Sequence, residues 1–272
     1  MKNKVLVILM MSFLGMSQFA CKSEYEKIRS SGDTALLLKK AFEYYEKEEW
    51  LKAQNLFELV IGAYKGRVEA EKAYFYYAYT HYHLGRYITA AYYFKNFANT
   101  FPNSQYREES DFMEGYSNFQ LSPSFRLDQT YTEKSIEIFQ LFVNTYPTSS
   151  RVEKCNNLID EMRSKLERKA FDEGQLYYDL RQYQSATQSF ENLLRDYPES
   201  ARAEEVRYLI TKASYNLAEN SIYDKQSERY NISYKNAREF LERYPESDRK
   251  KEMNSIKENS DKKIKSIANV RY

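Results

Sequence analysis

Phe101-Pro102-Asn103-Ser104, Tyr146-Pro147-Thr148-Ser149, Tyr197-Pro198-Glu199-Ser200 and Tyr244-Pro245-Glu246-Ser247 are four copies of one phrase, and they hold four of the five prolines in this 272-residue chain. In each copy an aromatic residue closes a helix, proline cannot continue it, and a serine two positions later caps the next one. The prolines recur at intervals of 45, 51 and 47 residues. That is too long for one helix and right for a helix pair with its connection. A period of this size predicts stacked helical repeats.

The residues ahead of each proline carry a second pattern. In the second repeat, Tyr74, Ala78, Gly85, Tyr87, Ala90, Phe94 and Pro102 fall where a tetratricopeptide repeat places its packing residues. The first repeat has Ala41, Tyr44, Trp50, Ala53 and Phe57 in register, with Lys65 in place of the proline; the fourth has Gly174, Tyr177, Tyr183, Ala186, Phe190 and Pro198. The third and fifth keep second helices from Ser135 to Pro147 and from Ser233 to Pro245, with inserts at Ser122–Asp128 and Tyr223–Tyr230 that are expected to be loops. The spacing from Pro147 to Pro198 predicts one long helix, Val152 to Arg181, serving two repeats. The fold expected is all-α, a tetratricopeptide-repeat superhelix of about five helix pairs. Residues 32–150 form repeats one to three, and residues 151–272 form repeats four and five with a capping helix.

Composition agrees. Glycine and proline together number 12 of 272 residues, well below the usual share of about 12 %, which argues against a turn-rich β fold. Apolar residues recur at helical spacing. The 27 tyrosines stand against one tryptophan, Trp50; packing accounts for most of them, since tyrosine fills a repeat core while its hydroxyl reaches the edge.

The amino terminus predicts the compartment. Residues 1–20 have a basic start (Lys2, Lys4), an apolar run from Val5 to Leu14, and small and polar residues ending at Ala20-Cys21. The run is too short to span a membrane and has the form of a secretory signal peptide. Cys21 after a small residue resembles a bacterial lipobox, although Gln18 and Phe19 depart from its usual pattern. Cys21 is then the lipid-attachment residue, the acylated, palmitate-bearing start of the mature chain, with residues 21–31 as anchor linker. Ordinary cleavage nearby, with Cys21 incidental, is the alternative. Cys155 is left without an intramolecular partner and is expected to pack as a small apolar group.

Loss of residues 1–20 removes two lysines and no acid, leaving 39 basic and 39 acidic side chains. This balance argues against nucleic acid as a partner, which calls for a basic stripe. The lysine-rich stretch from Asp248 to Lys265 reads as a polar capping helix. His81 and His83 are spaced i, i+2 and point to different sides of a helix, so no metal site is expected from them. Phosphate loops, nucleophile elbows and paired cysteines are absent from the sequence. Neither enzymatic activity nor a cofactor is expected. Acid pairs such as Glu108-Glu109 and Glu204-Glu205 fall at helix starts, where they complement the dipole.

What remains is a surface. In a stack of helix pairs the first helices line the inner side, and their inward positions are Leu38, Phe42, Tyr45, Phe75, Tyr79, Tyr82, Phe112, Tyr116 and Phe119. Eight of these nine are aromatic. Such a row suits a peptide in a groove, with Lys72 and Arg107 placed to neutralise a carboxylate. The alternative is that the stack curves tightly and these rings pack on one another.

The pattern as a whole resembles the BamD family, lipoprotein subunits of the β-barrel assembly machine of Gram-negative outer membranes. The resemblance runs from Cys21 to about Ser247. It is carried by Phe101–Ser104, Gly115, the insert 122–130, Phe139 to Pro147, Ala170 to Tyr178 and Asn192 to Ser200. It implies a protein lipid-anchored on the periplasmic face of the outer membrane. The N-terminal half would bind unfolded outer-membrane β-barrel proteins, and the C-terminal half BamA, alongside other BAM subunits. The last strand of those substrates ends in an aromatic residue and a carboxylate, which fits the aromatic row. A basic residue that the family carries on the second helix of repeat four is missing near Gln188 and Ser189, so that contact is assigned to no residue here. Another periplasmic repeat scaffold, or a SusD-like glycan-binding lipoprotein, remains the alternative; the single tryptophan argues against the latter.

Overall fold

The computed structural model describes residues 23–64 and 68–270. The signal segment 1–20, Cys21 and Lys65 lie outside the described residues. Among the described residues twelve helices follow in order: α1 (Glu24–Arg29), α2 (Thr34–Glu46), α3 (Trp50–Ile61), α4 (Val68–His83), α5 (Tyr87–Thr100), α6 (Arg107–Leu121), α7 (Thr130–Thr145), α8 (Val152–Asp179), α9 (Tyr183–Asp196), α10 (Ala203–Glu219), α11 (Tyr223–Arg243) and α12 (Lys250–Val270). There is no strand among the described residues. The chain is all-α, with five tetratricopeptide-type helix pairs, α2–α3 through α10–α11, followed by α12.

Each Aro-Pro-x-Ser phrase builds the same joint. Proline follows the aromatic residue into a turn closed by the serine N–H donating to the aromatic carbonyl, at 3.1, 3.0, 3.1 and 3.2 Å in chain order. The serine Oγ accepts the backbone N–H two residues on (Tyr106, Arg151, Arg202, Arg249). It also donates to a glutamate on the first helix of its own repeat. The pairs are Ser104–Glu71, Ser149–Glu108 at 2.6 Å, Ser200–Glu167 at 2.5 Å and Ser247–Glu204 at 2.6 Å. The serine therefore fixes where the next helix starts and ties that start to the preceding pair.

Counting four residues on from each glutamate gives an aromatic ring: Phe75, Phe112, Phe171 and Tyr208. Each is covered by the residue two beyond the serine. Tyr106 stacks on Phe75 at 4.5 Å, and the guanidinium carbons of Arg151, Arg202 and Arg249 lie 5.1, 4.2 and 4.5 Å from the other three rings.

Within the first, second and fourth pairs, the turn is a Schellman motif. Gly85 (φ 71°) has the left-handed conformation, Arg86 N–H donates to the His81 carbonyl and Gly85 N–H to that of Tyr82. Glu48 and Arg181, both at φ 59°, occupy the same place without glycine's freedom. Two other glycines permit close packing. A Cβ on Gly115 would lie 2.8 Å from the Phe139 ring, and one on Gly174 would lie 2.5 Å from the Phe190 ring.

The chain divides into two compact units. The first comprises the described residues up to Ser122 with Glu137–Val152; the second comprises Pro123–Ile136 with Glu153 onward. The first unit has a core running from Ile28 through Phe57 to Tyr77. The second has one core around Phe171, Phe190 and Val206 and another around Phe240 and Met253. Cys155 is buried in α8.

The expected long helix is present as α8, and the insert at Ser122–Asp128 is a loop. Gln129 holds that loop, donating to the Ser124 and Leu127 carbonyls. The expected loop at Tyr223–Tyr230 is instead the first part of α11. It contains no glycine or proline, and helical geometry buries Tyr230 to 1 % exposure against Tyr215, Ala218 and Ile267. The second helix of repeat three likewise begins earlier than expected, at Thr130.

Candidate functional site: an aromatic cleft in the first unit

A cleft of about 600 Å³ opens beside α2 and α4, lined by Lys39, Phe42, Glu43, Tyr45, Glu46, Glu48, Trp50, Lys72 and Tyr76. Residues 39, 42, 43 and 46 share one face of α2 at i, i+3, i+4 spacing, and Lys72 and Tyr76 share one of α4. The rings meet edge to face: Phe42 on Tyr76 at 5.3 Å, Tyr45 on Tyr76 at 4.8 Å and Tyr45 on Trp50 at 5.0 Å. Trp50 stacks flat on His83, centroids 4.0 Å apart, and Tyr45 Oη lies 3.4 Å from His83 Nε2.

Charge is distributed around these rings. Lys72 Nζ stands 4.7 Å from the Phe42 ring centroid and 5.7 Å from that of Tyr76. Glu43 is held by Lys40 at 2.7 Å, which pulls its carboxyl below the ordinary range. Burial pushes the Tyr45 phenol up, with Tyr76 and Glu109 adding to the effect, so it remains a neutral hydrogen-bond donor at physiological pH. The cleft offers flat apolar surfaces, phenolic donors and an ammonium group resting on a ring face. Such a site can hold an apolar or aromatic side chain, with the Lys72 ammonium as the group that a neighbouring carboxylate would meet and Glu43, Glu46 and Glu48 restricting it to that end. Among the described residues no group of three or more His, Cys, Asp or Glu side chains is placed to hold a metal ion.

The structure places the eight expected groove aromatics in three settings. Phe42 and Tyr45 line the cleft. Phe75 and Phe112 are 4 % exposed, beneath Tyr106 and Arg151. The others are half-buried. Tyr79 packs edge-on against Phe75 and Phe94 and donates its hydroxyl to Glu109, which also pairs with Arg151 at 3.3 Å. Tyr82 sits against Tyr87 and Tyr116, and Tyr116 stacks between Phe112 and Phe119. Burial raises the Tyr82 phenol to about 12. Arg107 donates to the Pro102 carbonyl at 2.9 Å and pairs with Asp111 at 3.8 Å, so it is engaged with the joint before α6 and with α6 itself.

Sequence reasoning did not assign Trp50, Tyr76 or Lys39 to the site. A signal for Tyr76 was present, four residues after Lys72 and so on the same helical face. Trp50 reaches the cleft because the left-handed turn at Glu48 starts α3 there, which no periodicity records.

The fold is that of a helical-repeat protein. The family model YfiO, described as an outer membrane lipoprotein, matches residues 31–200, and the chain belongs to that family. This agrees with the resemblance to BamD. No curated protein matches the chain. Among solved structures, the "TPR2AB-domain:pHSP90-complex of yeast Sti1" aligns at 13 % identity over 84 % of this chain and 98 % of that one, with a TM-score of 0.39. No helix among the described residues is long and apolar enough to cross a membrane.

Proposed function

We propose that this protein is a non-catalytic lipoprotein subunit of the β-barrel assembly machine, anchored through acylated Cys21 on the periplasmic face of the outer membrane. Its N-terminal repeats hold unfolded outer-membrane β-barrel proteins, and its C-terminal repeats hold BamA, with other BAM subunits in the same assembly. Family membership supports the setting. The observation that carries substrate binding is Lys72 poised 4.7 Å over Phe42 in a cleft whose other rings are Tyr45, Trp50 and Tyr76, with Lys39 adding a second cation and Glu43, Glu46 and Glu48 three carboxylates. A C-terminal aromatic side chain fits among the rings while its carboxylate meets the ammonium.

The test is binding of a peptide from the last strand of an outer-membrane barrel, with a free carboxylate or a C-terminal amide. Lys72 is exposed, so Lys72→Glu leaves the core intact. The free-acid peptide should lose about fivefold or more in affinity to this variant, and the amide should bind the wild type about as weakly. Equal binding of acid and amide, or an unchanged affinity in Lys72→Glu, would remove the cleft from substrate binding.

A further inference from the structure

The α2–α4 cleft is neutral once Lys40, the partner of Glu43, is counted, but its charge is separated along its length. Lys72 covers the Phe42 ring, and three residues further along α2 Tyr45 meets Tyr76 and His83, so α2 and α4 run the same way past the cleft. Lys39 and Lys72 therefore stand toward the starts of the two helices. Glu46 and Glu48 stand at and just beyond the end of α2, with Glu46 about 10 Å on from Lys39 along the helix axis.

The acidic end is also rich in ring surface. Tyr45 meets Tyr76 and Trp50 edge to face, and Trp50 is held flat on His83, so these walls are set before any ligand arrives. Glu43 is bound by Lys40 and Glu49 by Lys52, whereas Glu46 and Glu48 form no ion pair among the described residues. Lys47, between them in sequence, does not line the cleft, and burial lowers the His83 pKa, which keeps that ring uncharged. At about 600 Å³ the cleft has room for more than one side chain.

We propose that Glu46 and Glu48, with the Tyr45, Trp50 and Tyr76 rings, form a subsite for a lysine or arginine side chain carried two residues before the terminal aromatic residue of the bound strand. The proposal rests on the assignment of this cleft to that terminal residue. With the terminal carboxylate at Lys72, the rest of the segment leads toward Glu46. In an extended segment alternate side chains face the same way, about 6.7 Å apart. Phe42 and Glu46 are separated by about 6 Å along α2, so the second side chain on that face reaches the acidic end. There a cation gains from ring faces and carboxylates together.

Trp50 is the single tryptophan of the chain, so its fluorescence reports on the cleft without a label. The probes are acetyl-Ser-Lys-Ser-Phe, acetyl-Ser-Glu-Ser-Phe, acetyl-Ser-Ser-Ser-Phe and acetyl-Ser-Ser-Lys-Phe, each as free acid and as amide. The first should bind about fivefold more tightly than the all-serine peptide, and the glutamate peptide more weakly than either. The same order should hold among the amides. Moving lysine next to phenylalanine puts it on the opposite face and should remove most of its advantage. Glu46→Gln with Glu48→Gln, both at exposed positions, should erase the preference for lysine and leave the affinity of the all-serine peptide unchanged. Acids and amides that bind equally, with the lysine preference intact, would overturn the Lys72 contact and support this subsite. The subsite is overturned if the lysine, serine and glutamate peptides bind alike, if the position of lysine makes no difference, or if the double variant keeps the preference. A Trp50 signal that saturates with none of the peptides would overturn both.

Discussion

Ser200 donates its hydroxyl to Glu167 at 2.5 Å, joining the mouth of α10 to the middle of α8 across 33 residues of sequence. The same Oγ accepts the Arg202 N–H at 3.0 Å. One side chain thus satisfies a helix-entry amide and a carboxylate on the preceding helix. Ser200→Ala should destabilise the protein by about 1–2 kcal/mol, read as a lower urea midpoint. Ser247→Ala, which makes the same two bonds, should cost a similar amount. A midpoint unchanged in both would show that the link contributes nothing.

Gly174→Ala should be destabilising although alanine is the better helix former. The new methyl falls 2.5–2.6 Å from the Phe190 ring, and Phe190 is fully buried. Relieving that overlap costs about 1–3 kcal/mol, more than the gain of about 1 kcal/mol in helix propensity. Adding Phe190→Leu to Gly174→Ala should recover part of the loss. A thermal melt of both variants checks the sign.

Arg181→Gly should stabilise. Arg181 holds φ 59° in a turn that Gly85 makes in repeat two. Relief of left-handed strain, about 1–2 kcal/mol, exceeds glycine's entropic cost of about 0.5–1 kcal/mol. The expected net gain is about 0.5–1 kcal/mol, and Gly85→Ala should move the melting temperature the other way.

His81 makes stability depend on pH. Arg86 donates to Gln54 Oε1 at 3.0 Å, which turns the Gln54 amide nitrogen toward the His81 ring, 3.0 Å from Nε2. The ring must therefore accept and stay neutral. Desolvation, with Arg86 adding repulsion, pushes its pKa down to about 4 from an ordinary value of 6.5. Between these values the unfolded chain binds a proton that the native chain does not. The stabilisation is thus complete above pH 6.5 and is lost as pH falls toward 4. It amounts to roughly 2 kcal/mol after allowance for partial solvation. The chain has two histidines, so imidazole signals can be assigned with His83→Gln, and a His81 signal titrating near 6.5 would contradict this account.

The anchor is tested most directly in cells. On the proposed acylation of Cys21, Cys21→Ser should move the protein from the membrane to the soluble fraction, because acyl chains would supply the membrane affinity. Retention with membranes after carbonate washing would show attachment by another route.

The repeat architecture was legible because proline and left-handed turns leave local marks: four Aro-Pro-x-Ser phrases and Gly85 gave the pairs and their order. The partners of those marks were not legible. Glu108 and Glu109 are adjacent, yet the first receives Ser149 and the second receives Tyr79 and Arg151. Only side-chain direction around the helix separates them. Phe75 and Phe112 lie in the expected aromatic row, but their covers, Tyr106 and Arg151, come from the start of the next helix pair. Helical periodicity describes one helix at a time and cannot register a cover from the next. Extra length at Tyr223–Tyr230 does not make a loop, because a segment without a breaker simply lengthens α11.

These covered rings also determine where the chain can be cut. A helix pair is not a self-contained module, because its ring is finished by a residue belonging to whatever follows. For Tyr208 that residue is Arg249, just ahead of α12. A shortened protein ending at Tyr244 would keep all five pairs and still bare an aromatic face, inviting self-association. An engineer transplanting one repeat should therefore carry the segment from its glutamate through the second residue past its serine, Glu71 to Tyr106 for example. A boundary drawn at the proline separates each ring from its lid.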